Sequence, residues 1–211
     1  MNKNETNALE IIKSDSSFIT EASDSIIHLL NDSNVVDDIP IIGLITKLGK
    51  IGFGLSNHLF EKKLYSFLFE IKDTTLEERN SFIKKLDEKE YSEIGNSITI
   101  LLEKYDSLTK AKYLGMLLKA SIKEEITNET FMRIALIINR LMVFDIQKLP
   151  LFLNEIPHTG NYVIELENQG LIEKTGLKMQ GQNSHTNYWI YYYRLSNLGT
   201  VMVIKLKLYE H

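Results

Sequence analysis

From near the start of the chain to about residue 145, apolar side chains recur every three or four residues, the spacing of amphipathic helices. Residues 16–31 set Phe18, Ile19, Ala22, Ile26, Leu29 and Leu30 on one stripe. A polar run, "DSNVVDD", interrupts the pattern, and Asp38 then caps a second helix with Pro40 in its first turn. In that helix, residues 39–60, Ile41, Leu44, Leu48, Ile51, Leu55 and Leu59 share one face, with Ile42, Ile45 and Phe53 on a second arc. Gly49, Gly52 and Ser56 lie between the arcs, where small side chains suit close helix packing or membrane contact, and Lys47 and Lys50 occupy the narrow polar sector. Each internal glycine costs about 1 kcal/mol relative to alanine, so packing has to offset it.

Further helices follow. Phe60, Leu64, Phe67, Leu68 and Ile71 continue to about Lys72, and Thr75 and Glu78 have capping-box spacing. Residues 89–105 carry Ile94, Ile98, Leu101 and Leu102, and a helix after Asp106-Ser107 carries Leu108, Ala111, Leu114, Leu117 and Leu118. Thr127 or Asn128 caps a helix reaching residue 144. After Pro150 the pattern changes: a helix ending near Gly170, a short strand from Leu171 to Lys174, a polar loop over 175–186, the strand "NYWIYYYRL", and a last helix capped by Ser196.

Composition adds exclusions. Cysteine is absent, which removes disulfides, thiolate metal sites and cysteine nucleophiles, and no secretory signal opens the chain, so a cytoplasmic location is expected. The net charge of -4 gives no global attraction for nucleic acid. Residues 151–211 hold 5 Lys/Arg against 5 Asp/Glu, so the C-terminal part is not a basic module either. Lys47 and Lys50 break the apolar run of 39–60, which argues against a single membrane span. "GLITKLGK" misses the phosphate-loop pattern in spacing and in its Ser/Thr. No metal, cofactor or catalytic set is expected, because the histidines are unpaired and Glu77/Glu78 and Glu124/Glu125 are adjacent surface charges.

Two resemblances bear on fold and context. The helix 161–169, the turn Gly170-Leu171-Ile172, a hairpin over 174–188, and "YRLSNLG", with Tyr193, Leu195, Ser196 and Gly199, resemble the end of a winged helix-turn-helix domain. The helical periodicity upstream points to a mainly α fold with a helical bundle over 1–128, and the resemblance implies that a winged-helix-like module with a small β-hairpin follows over 129–211. "IPIIGLITKLGKIGFGLSNHLFEKKLYSFLFEI" and "LTKAKYLGMLLKASIKEEITNETFMRIALIINRL" resemble a group of uncharacterised bacterial proteins associated with mobile elements and phage conflict. That group implies a bacterial defence setting and carries no activity onto residues of this chain.

In a winged helix the partner-facing or DNA-facing residues would be Asn161, Glu165 and Asn168 on the helix and Lys174, Lys178, Gln180, Gln182 and His185 on the wing. Carboxylates on the helix oppose a phosphate backbone. The expected function is therefore a non-catalytic regulatory protein that engages a protein partner or its own copy. A DNA-binding regulator and a membrane-active effector or immunity protein using helix 39–60 are the alternatives, and no small-molecule substrate is evident.

Overall fold

Polar residues that stop one helix start the next. Thr75 and Asp87 each accept a hydrogen bond from the backbone three residues on, and Glu78 and Glu90 reach back to the capping amides. Two complete capping boxes thus fix the starts of successive helices. The computed structural model describes residues 58–180 and 188–210. It shows α1 (His58–Ile71), α2 (Leu76–Lys84), α3 (Glu88–Lys104), α4 (Leu108–Ile122) and α5 (Asn128–Arg140) in turn. The reading of residues 39–57, with Lys47, Gly49, Lys50, Gly52 and Ser56, lies outside the described residues, as do Gln182 and His185.

The chain divides into two compact units between Ala135 and Leu136, within α5. In the first, α4 is the central helix, with Ala111, Tyr113, Leu114, Leu117, Leu118 and Ile122 buried on most of its circumference. Gly115 lets it approach α1: a Cβ there would collide with the Phe67 carbonyl oxygen and meet Glu70 Cβ at 2.9 Å. Phe67, Leu68, Ile98, Leu102 and Phe131 complete this core. Lys63 is buried on α1, and its ammonium donates to the carbonyls of Glu103 (3.0 Å) and Tyr105 (2.8 Å) at the end of α3. A helix C-terminus carries unpaired carbonyls and partial negative charge, which this cation satisfies. Burial lowers the Lys63 pKa, opposed by the carboxylates of Glu103 and Asp106. The buried Tyr105 hydroxyl donates to the Ala135 carbonyl (2.9 Å), and burial raises its pKa above the usual phenol range.

The second unit holds the end of α5, α6 (Val143–Ile146), a 3-10 turn (Leu149–Phe152), β1 (Ile156–Pro157), α7 (Asn161–Asn168), β2 (Ile172–Gln180), β3 (Tyr188–Leu195), α8 (Asn197–Lys205) and a closing 3-10 turn (Leu208–Glu210). The helix expected to run to residue 144 breaks instead at Met142, whose backbone is extended. Continued, it would have put Asp145 on the stripe of Ile134, Ile138 and Leu141. The break buries Ile146 and Leu149 in its place.

The sheet order is β1-β3-β2, all antiparallel. β1 is not among the expected elements, and the local pattern ends the first hairpin strand at Lys174, although the winged-helix resemblance sets a hairpin over 174–188. β2 in fact runs on to Gln180, because pairing with the aromatic β3 outweighs the local turn signal, and the extra residue near Gly176 is absorbed in a bulge between Lys174 and Gly176. Gly170, at φ +70°, makes the turn out of α7. The Ser196 hydroxyl donates to the Gly170 carbonyl (2.6 Å) and accepts from the Gly199 amide (3.0 Å), while the Ser196 amide donates to the Leu171 carbonyl (3.0 Å). A side chain at Gly199 would collide with that same Leu171 oxygen. The "GLI" turn and the "LSNLG" cap are therefore two halves of one joint. A helical bundle followed by a winged-helix-like module is the fold observed.

Candidate interaction surface on the C-terminal hairpin

Strand alternation decides what the hairpin presents. Residues paired across antiparallel strands point to one side, and so do alternate residues along a strand. Leu177 pairs with Tyr191, and Met179 with Trp189, so these four share a face. The face is a continuation of the core side: Tyr193, two residues beyond Tyr191, is buried edge-on to Phe152 with ring centroids 6.5 Å apart. Among the described residues, nothing covers it to the same degree past Tyr193. Leu177 is 45% exposed, Met179 58%, Trp189 64% and Tyr191 47%. The bulge is what places them there. Ile172 and Lys174 lie on the inner side, and uninterrupted alternation would have continued it through Gly176 and Lys178. With one extra residue, Leu177 and Met179 turn inward and Lys178 turns outward.

The cations of the hairpin are each held by a carboxylate. Lys174 reaches Glu167 of α7 at 2.9 Å and lies 4.8 Å over the Tyr191 ring. Lys178 pairs with Glu155 at 3.0 Å and sits 4.1 Å over Tyr192. Arg194 meets Glu173, its cross-strand neighbour, at 2.7 Å. Glu167 holds the Lys174 ammonium above its ordinary pKa, and Lys178 holds the Glu155 carboxyl below its own. These are exposed pairs, so each adds little stability. Their effect is on the field: the hairpin presents almost no net charge.

Asn161, Glu165 and Asn168 are exposed on α7, at spacings that put them on one face with the exposed Ile164. That face has two amides, one carboxylate and one apolar side chain, and no cation. Gln180 ends β2 opposite Tyr188. Beneath the helix, His158 packs 4.3 Å from Phe152, its Nδ1 lies 3.0 Å from the Tyr162 hydroxyl, and Lys148 stands 4.0 Å over the Tyr162 ring. His158 Nε2 is buried with no hydrogen-bond partner, and burial lowers the ring's pKa against a smaller opposing contribution from the Leu151 backbone.

No protein-family model, curated protein or solved structure matches the chain. Among the described residues, no group of three His, Asp or Glu side chains is placed to hold a metal ion, and no helix is long and apolar enough to cross a membrane.

The apolar quartet is not evident from sequence because 175–186 has the composition of a loop, and the hairpin expected over 174–188 comes without the register that the bulge sets. One signal was available: Leu177 and Met179 alternate, as do Trp189, Tyr191 and Tyr193, which is the period of a strand.

Proposed function

We propose that this chain is a non-catalytic interaction protein whose C-terminal hairpin contacts another protein rather than DNA. One observation carries the reading: an exposed Leu-Met-Trp-Tyr face on a hairpin whose cations are already paired. Trp, Tyr and Met are enriched at the centres of protein interfaces, where charge is depleted. Duplex binding asks for the reverse, cations free to replace the counterions of the phosphate backbone. To contact phosphate, Lys174, Lys178 and Arg194 would first have to leave Glu167, Glu155 and Glu173. The bacterial-conflict setting rests on the sequence resemblance alone.

The test is a titration of a labelled random-sequence duplex with the full chain at low salt, followed by anisotropy. The expected result is no saturable binding in the low micromolar range and no gain from lowering the salt. Binding that falls steeply with salt and is lost in Lys174→Ala or Lys178→Ala would replace this reading with the DNA-binding one.

A further inference from the structure

We infer that the outer edge of β2 takes an extended segment of a partner protein, added antiparallel as a further strand, with apolar side chains at every second position. The inference rests on the protein-contact reading above and names the form of the partner. β2 is the last strand of its sheet. Among the described residues no strand lies on its side away from β3, and no main-chain group of residues 173–180 bonds to any backbone but that of β3.

Pro157 decides which groups are open. It has no N–H, so it cannot form a doubly bonded pair with Tyr192, and Ile156 with Tyr193 is that pair. Tyr193 therefore turns its amide and carbonyl to β1, and by alternation Tyr192 and Ile190 turn theirs to β2. Lys178, opposite Ile190, commits its own groups to β3, which leaves those of Leu177 and Met179 aimed outward. The residues with open main-chain groups are thus the two whose side chains lie on the apolar face. In an antiparallel neighbour the residues bonded to them point to that face as well, and this sets the period of the partner's apolar positions.

Sheet edges are ordinarily guarded by lysine and by bulges. Here both lysines are drawn off the edge. Lys174 goes to Glu167 and stands over the Tyr191 ring, while Lys178 leans across Tyr192 to Glu155, beyond β3. The bulge lies upstream, between Lys174 and Gly176, and a Cβ at Gly176 would meet nothing within 4 Å. Main-chain bonding supplies the affinity in this mode of recognition, and alternate side chains supply the selectivity.

The probe is a labelled peptide of about seven residues, alternating valine and threonine between uncharged polar ends, titrated with the full chain and followed by anisotropy. Amide exchange is read by NMR in parallel. In the free chain the Leu177 and Met179 amides should exchange at least about tenfold faster than that of Lys178. The peptide should saturate below about 1 mM and slow both. N-methylation of its valines should abolish binding, and N-methylation of its threonines should leave it. Met179→Pro removes one outward N–H, spares the ladder with β3, and should weaken binding at least about tenfold. Leu177 and Met179 amides as protected as Lys178 in the free chain, a peptide that does not bind, or two methylated peptides that bind alike would overturn the inference. So would a sedimenting mass that rises with concentration as the same two amides become protected, which gives the edge to a second copy. A chain that takes neither the peptide nor duplex DNA overturns strand addition and leaves the wider reading in place. Salt-dependent duplex binding overturns both.

Discussion

Gly199 carries two demands that no other side chain meets together. It sits in the first turn of α8, and its Cα lies against the Leu171 carbonyl oxygen that also accepts the Ser196 amide. Gly199→Ala gains up to about 1 kcal/mol of helix propensity, yet it forces a methyl into an oxygen. A net loss of about 1–3 kcal/mol is expected, read as a lower urea midpoint at unchanged slope. His158 belongs to the same scale. Its folded pKa is lowered by burial, so the unfolded chain takes up the proton first. Stability is then complete above the ordinary value of 6.5 and is lost as pH falls from there toward the folded pKa. The carboxyls of Glu124 and Glu155, lowered by Lys85 and Lys178, lose their contribution only as pH falls from the ordinary 4.5, an interval that begins lower. Replacing His158 by Phe should flatten the upper interval and leave the lower one, checked by thermal melts between pH 7 and 4. Motifs with a local mechanism, such as Thr75 with Glu78 or Ser196 with Gly199, are legible in sequence because every partner lies within a few residues. The pairing of Lys63 with carbonyls some 40 residues away is not.

At the scale of elements, helices were readable and their ends less so. The stripe through Ile134, Ile138 and Leu141 marks α5 clearly, but its break at Met142 depends on whether Asp145 or Ile146 enters the core. That choice is made by the whole unit and not by local periodicity. β2 shows the opposite conflict: Thr175 and Gly176 signal a turn, and the cross-strand partner overrides them. Lys63 ties two elements together, α1 and the end of α3. Lys63→Met removes the donor from two carbonyls and is expected to cost about 2–4 kcal/mol, seen as a fall in chemical-denaturation stability. A loss below 0.5 kcal/mol would mean that water replaces the ammonium there.

At the scale of the whole molecule, the charge balance of the sequence anticipated what the hairpin shows in detail. Of the five bases in the C-terminal part, Lys174, Lys178 and Arg194 are, once folded, paired with Glu167, Glu155 and Glu173 around an apolar face. The face itself was not legible, because one bulge decides which side Leu177 and Met179 take. The account stands on that face being open to solvent in the free chain. Acrylamide quenching of Trp189 in dilute protein, near 1 µM, tests it most directly. The account predicts quenching approaching that of the denatured chain, and a strongly protected Trp189 at that dilution would contradict it.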